Sequence, residues 1–82
     1  MEEVQAIEVY GISIDARAGA LLDTVMSYAG SGSAHQCEQA NVALEKLGKL
    51  GATTALHHMV KSFSGSGSGH QCQLARRALE LI

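Results

Sequence analysis

A 35-residue internal duplication constrains this chain more than any other feature. His35-Gln36-Cys37 returns as His70-Gln71-Cys72, and sliding residues 17–47 onto 52–82 aligns 31 positions without a gap, 15 of them identical. Chance agreement at average composition would be about two or three positions. The identities run from Ala20/Ala55 and Leu21/Leu56 through Gly30-Ser31-Gly32-Ser33 and Gly65-Ser66-Gly67-Ser68 to Leu44/Leu79 and Glu45/Glu80. A period of this length is the mark of stacked supersecondary units. The chain divides accordingly into an N-terminal segment (1–16), a first unit (17–51) and a second unit (52–82) that stops in mid-pattern.

Each unit reads as helix, turn, helix. Ala18, Leu21, Leu22, Val25 and Ala29 recur at helical spacing, as do Cys37, Ala40, Ala43, Leu44 and Leu47. In the second unit the stripes are Ala52, Leu56, Met59, Val60 and Phe63, then Cys72, Ala75, Leu79 and Ile82. Gly30 and Gly65 stop the first helices in the left-handed conformation. Ser33 with Gln36, and Ser68 with Gln71, have the form of a capping box, hydroxyl to backbone and amide back to backbone. The predicted helices span roughly 14–29, 34–48, 52–64 and 69–82. The expected fold class is all-α: two stacked 35-residue helical hairpins preceded by a short helix or extended segment. Within residues 1–14, alignment of Val9 with Leu44 and of Ile12 with Leu47 favours a helix, while the alternation Ile7-Glu8-Val9-Tyr10 also suits a strand.

Eighty-two residues with a net charge of −2 and 46% hydrophobic residues form one small domain. Two Tyr, one Phe and no Trp leave the core to Ala, Leu, Val and Ile. Beyond Arg76-Arg77 there is no basic cluster, so composition offers no electrostatic footprint for nucleic acid. The acidic start Met1-Glu2-Glu3 is unlike a secretory or transit signal, and no apolar run approaches a membrane span. Two Cys in a short chain could form one disulfide, but their setting argues for reduced thiols, and the expected location is a reducing intracellular compartment, the cytoplasm or an organelle interior.

His35, Cys37, His57, His58, His70 and Cys72 raise a metal hypothesis that spacing opposes. A His-x-Cys pair on a helix points its side chains about 200° apart, whereas helical ligand pairs sit three or four residues apart. Both cysteines fall on the apolar stripes and are expected buried, unbridged and metal-free. No Ser/His/Asp or Cys/His set assembles by local spacing, so no catalytic residue and no cofactor is expected. The Gly-Ser turns ahead of helix N-termini suit anions, but no Lys follows them as in a phosphate loop. Arg76 and Arg77 read as a solvated polar face.

Units of 34–35 residues, each a helical hairpin, resemble pentatricopeptide and tetratricopeptide repeats; Ala20-Leu21-Leu22 to Tyr28-Ala29, and Gln73 to Glu80, look like the two helices of the former. That resemblance implies binding of single-stranded RNA through the first helices, with Gly19 and Thr54 at the base-reading places. The acidic balance opposes tight RNA binding by two isolated units. The leading expectation is therefore a non-catalytic interaction module, a protein-binding scaffold or small subunit of a larger complex. An RNA-binding repeat fragment is the alternative, and a small metal- or anion-binding protein the remote one. Stacked arrays need three or more units with polar outer ends. Val4, Ile7, Val9, Arg76, Arg77, Leu81 and Ile82 are accordingly expected at an interface with a protein partner or a second copy.

Overall fold

The computed structural model describes residues 5–82, with the element order β1 (Ala6–Val9), β2 (Ile12–Asp15), α1 (Ala16–Tyr28), α2 (Ala34–Leu50), α3 (Thr53–Phe63) and α4 (Gly69–Leu81). The molecule is mostly helical, with a small antiparallel sheet at its beginning. All four helices start and stop within two residues of their expected bounds. None is long and apolar enough to cross a membrane.

The expected N-terminal helix is replaced by a two-stranded hairpin. Ile7 pairs with Ile14 and Val9 with Ile12, and the connecting Tyr10 and Gly11 both have positive φ, 51° and 77°. A two-residue turn with both residues in the left-handed region matches the right-handed twist of the strands it joins. Its preference for Gly explains Gly11, and the alternation of Ile7, Val9, Ile12 and Ile14 supplies the apolar face. That face lies on α1, where Ile14 is buried with Ala18 and where Val9 and Ile12 pack on the core. Asp15 ends β2 and caps α1, accepting the Arg17 N–H at 2.8 Å. The Arg17 hydrogen bonds also hold its carboxyl below the usual carboxylate range.

Helix α1 packs along α2 and α3 along α4, while α2 also meets both α3 and α4. The molecule is elongated, 42 × 23 × 21 Å. The core runs its length through Leu22, Val25, Leu44, Leu47, Leu56, Met59 and Leu74. In α4 the buried stripe is Leu74, Ala75 and Ala78, with Leu81 packed on the core, and not the expected Cys72, Ala75, Leu79 and Ile82. Both stripes are apolar at helical spacing, and packing of α4 on α2 selects the one that turns toward the first unit.

Candidate interaction surface

The two Gly-Ser turns share their geometry. Gly30 and Gly65 have φ of 74° and 79°. The residues before them, Ala29 and Ser64, close α1 and α3 with nearly the same backbone, φ/ψ −63°/125° and −66°/124°. In the first turn the Ser33 hydroxyl accepts the Gln36 N–H at 3.4 Å, as the capping box requires. Gln36 does not reach back to the Ser33 backbone, however. The Ser33 N–H donates to Ser31 Oγ at 3.1 Å, and the Ser31 hydroxyl in turn donates to Gln36 Oε1. Ser66, Ser68 and Gln71 repeat this relay in the second turn.

Cys37 and Cys72 are unbridged but only half-buried, where full burial was expected. Each thiol donates at 3.1 Å to a turn carbonyl, that of Ser31 or Ser66, instead of packing across its hairpin. Cys of the repeated tripeptide thus serves its own turn, and Gln does so through its Oε1 and backbone N–H.

His70 acts between the units. Its Nδ1 accepts the Gly30 N–H at 2.9 Å, so the ring proton sits on Nε2 and is donated to Asn41 Oδ1, also at 2.9 Å. Beside it, Gln71 Nε2 donates to the Ala29 carbonyl at 3.3 Å. Two turns along α4, Arg77 forks onto Glu45, with Nε to Oε2 and Nη2 to Oε1 both at 2.8 Å, and its third arm meets Glu80 at 2.8 Å. The guanidinium holds the Glu45 carboxyl below its usual range, and the two carboxylates raise the Arg77 pKa in turn. Arg77 is therefore a clasp made at the surface, its side chain still 46% exposed, and Arg76 beside it is exposed too. Leu81 closes the seam over Gly48, where a β-carbon would come within 2.9 Å of both Leu81 methyls.

The 35-residue offset also relates the outer faces. On the first unit, Leu21, Thr24, His35, Gln39, Val42 and Lys46 line a shallow concavity of about 430 Å³. Their counterparts are Leu56, Met59, His70, Leu74, Arg77 and Leu81, of which His70, Arg77 and Leu81 belong to the seam just described and the others are buried. Polar Thr24, Gln39 and Lys46 thus stand where the second unit carries packed Met59, Leu74 and Leu81. On the second unit the relation reverses: Leu79 is 59% exposed and Ile82 46%, whereas their counterparts Leu44 and Leu47 are 1% and 0% exposed.

The β-hairpin lies over the first helices of both units. Ile7 covers Gly19 so closely that a β-carbon there would approach its Cδ1 to 2.5 Å. Tyr10 stacks on His58 with ring centroids 5.4 Å apart, and its hydroxyl donates to Asp23 Oδ1 at 2.7 Å. That bond, with some burial and the Asp23 charge, raises the Tyr10 pKa. Tyr10, Thr54, His57, His58 and Lys61 border an open concavity of about 680 Å³. Of the two expected base-reading positions, Gly19 is buried beneath the hairpin and Thr54 is exposed.

Of the expected interface residues, Ile7, Val9 and Leu81 are half-buried inside the molecule, and Arg77 is engaged in the seam. Arg76 and Ile82 are exposed, and Val4 lies outside the described residues. Leu79, expected on the buried stripe, is the most exposed of the large apolar side chains among the described residues. Only its counterpart Leu44, read together with the unit that covers it, could have flagged the difference. Among the described residues, no three His, Cys, Asp or Glu side chains group to hold a metal ion. Comparison of the chain with protein families, with curated proteins and with solved structures found no match.

Proposed function

We propose that the chain is a stacked α–α repeat of two 35-residue hairpins that serves as a non-catalytic interaction module, joining a protein partner through its second unit. The exposure of Leu79 and Ile82 carries this reading. Their counterparts Leu44 and Leu47 are buried in the first unit, and this difference between matching positions, more than exposure as such, supports the reading, since Val42 and Leu50 are also exposed. The ionisable and polar groups in the seam have structural partners, which supports a binding role over a chemical one. The RNA-reading alternative keeps less support: Gly19 is covered by Ile7, and the balance of charge is acidic.

A photo-cross-linking residue placed at position 79, with position 20 on α1 as the control, tests the proposal in extract from the native source. A defined protein adduct at 79 and not at 20 is the expected result. An RNA adduct that disappears as salt rises would instead favour the alternative, since phosphate contacts weaken with ionic strength.

A further inference from the structure

We infer that the outward face of the second unit receives a helical hairpin of a different protein, one with a carboxylate in the first turn of its second helix and an arginine seven residues further on. This inference rests on the stacked-repeat reading and specifies its partner. The seam between the two units has a giving side and a receiving side. The receiving side consists of the Ala29 carbonyl, the Gly30 N–H, Leu44, Glu45 and Asn41, which take Gln71, His70 and Arg77. Thirty-five residues on, the second unit presents the Ser64 carbonyl, the Gly65 N–H, Leu79, Glu80 and Arg76. Gly, Leu and Glu are retained, and the two backbone groups emerge from nearly identical dihedral angles. The second unit therefore offers the receiving side again, with Leu79 uncovered.

Ser64 replaces Ala29 but takes part through its carbonyl alone; among the side chains of the face Arg76 departs from the pattern, and it defines the occupant. Asn41 accepts a proton from His70; Arg76 has protons only to give. At this face the incoming side chain meets two donors, the Gly65 N–H and the Arg76 guanidinium. A neutral imidazole has a single acceptor nitrogen and satisfies one of them. A carboxylate accepts from both, and its bond to arginine is charge-assisted. Glu80 already takes Arg77 through Oε2 at 2.8 Å and keeps Oε1 for the arginine seven residues later, where Glu45 gives both oxygens to Arg77. A second copy of this chain fits poorly. Its own second unit already spends His70 and Arg77 on the seam, and its first unit would bring His35 to Arg76, Val42 to Glu80, and Thr24, Gln39 and Lys46 to the apolar ground.

The test appends a second copy of residues 48–82 after Ile82 in the full chain, in one version unchanged and in another with His70→Asp in the appended copy. In the aspartate version the third unit should dock: one urea transition, with a higher midpoint and a denaturant slope roughly half as large again. The histidine version should show a smaller rise. Arg76→Ala in the original second unit should abolish the difference between the two, and Leu79→Glu there should erase both gains. Equal behaviour of the two versions, or a separate transition for the appended unit, would overturn the inference. So would self-association of the unextended chain in sedimentation that Leu79→Glu abolishes, because the occupant would then be a second copy. Failure of the appended unit to dock counts against this partner alone; the interaction-module proposal falls only if cross-linking at position 79 captures no protein.

Discussion

His35 and His70 occupy the same place in the repeat and have different surroundings, which makes them a matched pair for measuring the seam. His70 satisfies the Gly30 N–H and Asn41 across the two units. His35 is exposed beside the shallow concavity of the first unit. Replacing His70 with Ala should cost about 1 kcal/mol, the net worth of its two hydrogen bonds, since Gly30 and Asn41 are exposed and turn to water once the ring is gone. The same change at His35 should stay within about 0.5 kcal/mol. Urea unfolding of both variants checks this, and equal losses would mean that the imidazole contributes only to its own helix. Glu45 gives the seam a pH dependence. Arg77 lowers its folded pKa, so the carboxylate binds its proton more weakly when folded than when unfolded. The stability from this linkage is complete above the unfolded carboxylate range and is lost as pH falls through the folded value. Glu45→Gln should therefore lower the melting temperature at neutral pH and have little effect near pH 2, a convergence that thermal scans at the two pH values would reveal.

Among the elements, the β-hairpin depends most on a single turn. Gly11 at φ 77° follows Tyr10 at 51°, and a β-carbon in the left-handed region costs about 1–2 kcal/mol. Gly11→Ala should raise amide exchange in β1 and β2 and loosen the Tyr10 stack on His58, while α4 keeps its protection. If exchange rises equally everywhere, the hairpin is part of the cooperative core and not a cover laid on it. This element was also the hardest to foresee. The helices were legible because each has two or more turns of apolar period closed by Gly or Ser at the expected places. Each strand has only four residues, too few to separate period two from period 3.6, and Tyr10 hides a turn that Asn or Gly would have announced. The seam was illegible for another reason. His70 and Gln71 bond to main-chain atoms 40 and 42 residues away, and backbone partners leave no trace in side-chain spacing. Leu79 misled because α4 has two apolar stripes, and the neighbouring unit decides which is buried.

At the scale of the whole molecule, the question is whether the two units fold as one. On the proposed stacked-repeat reading, a unit of about 35 residues buries too little surface to hold itself together, and stability is largely a sum of interface terms. Eighty-two residues at about 0.05–0.15 kcal/mol each have roughly 4–12 kcal/mol in total. Leu74 sits where that total is most exposed to a single change. It is buried on α4 and lines, with Asn41, Leu44 and Glu45, the joint between the units. Truncating a buried leucine costs about 2–5 kcal/mol, a large share of the available stability. Because the loss falls on the joint, it should not stay in the half that carries the substitution. Leu74→Ala is expected to speed amide exchange in α1 and α2 about as much as in α3 and α4, and to shift a single unfolding transition without splitting it. Residue-resolved hydrogen exchange distinguishes this from the alternative, in which α3 and α4 lose protection while α1 and α2 keep theirs. That outcome would mean that the β-hairpin and α1–α2 form a self-sufficient core to which the second unit is only attached.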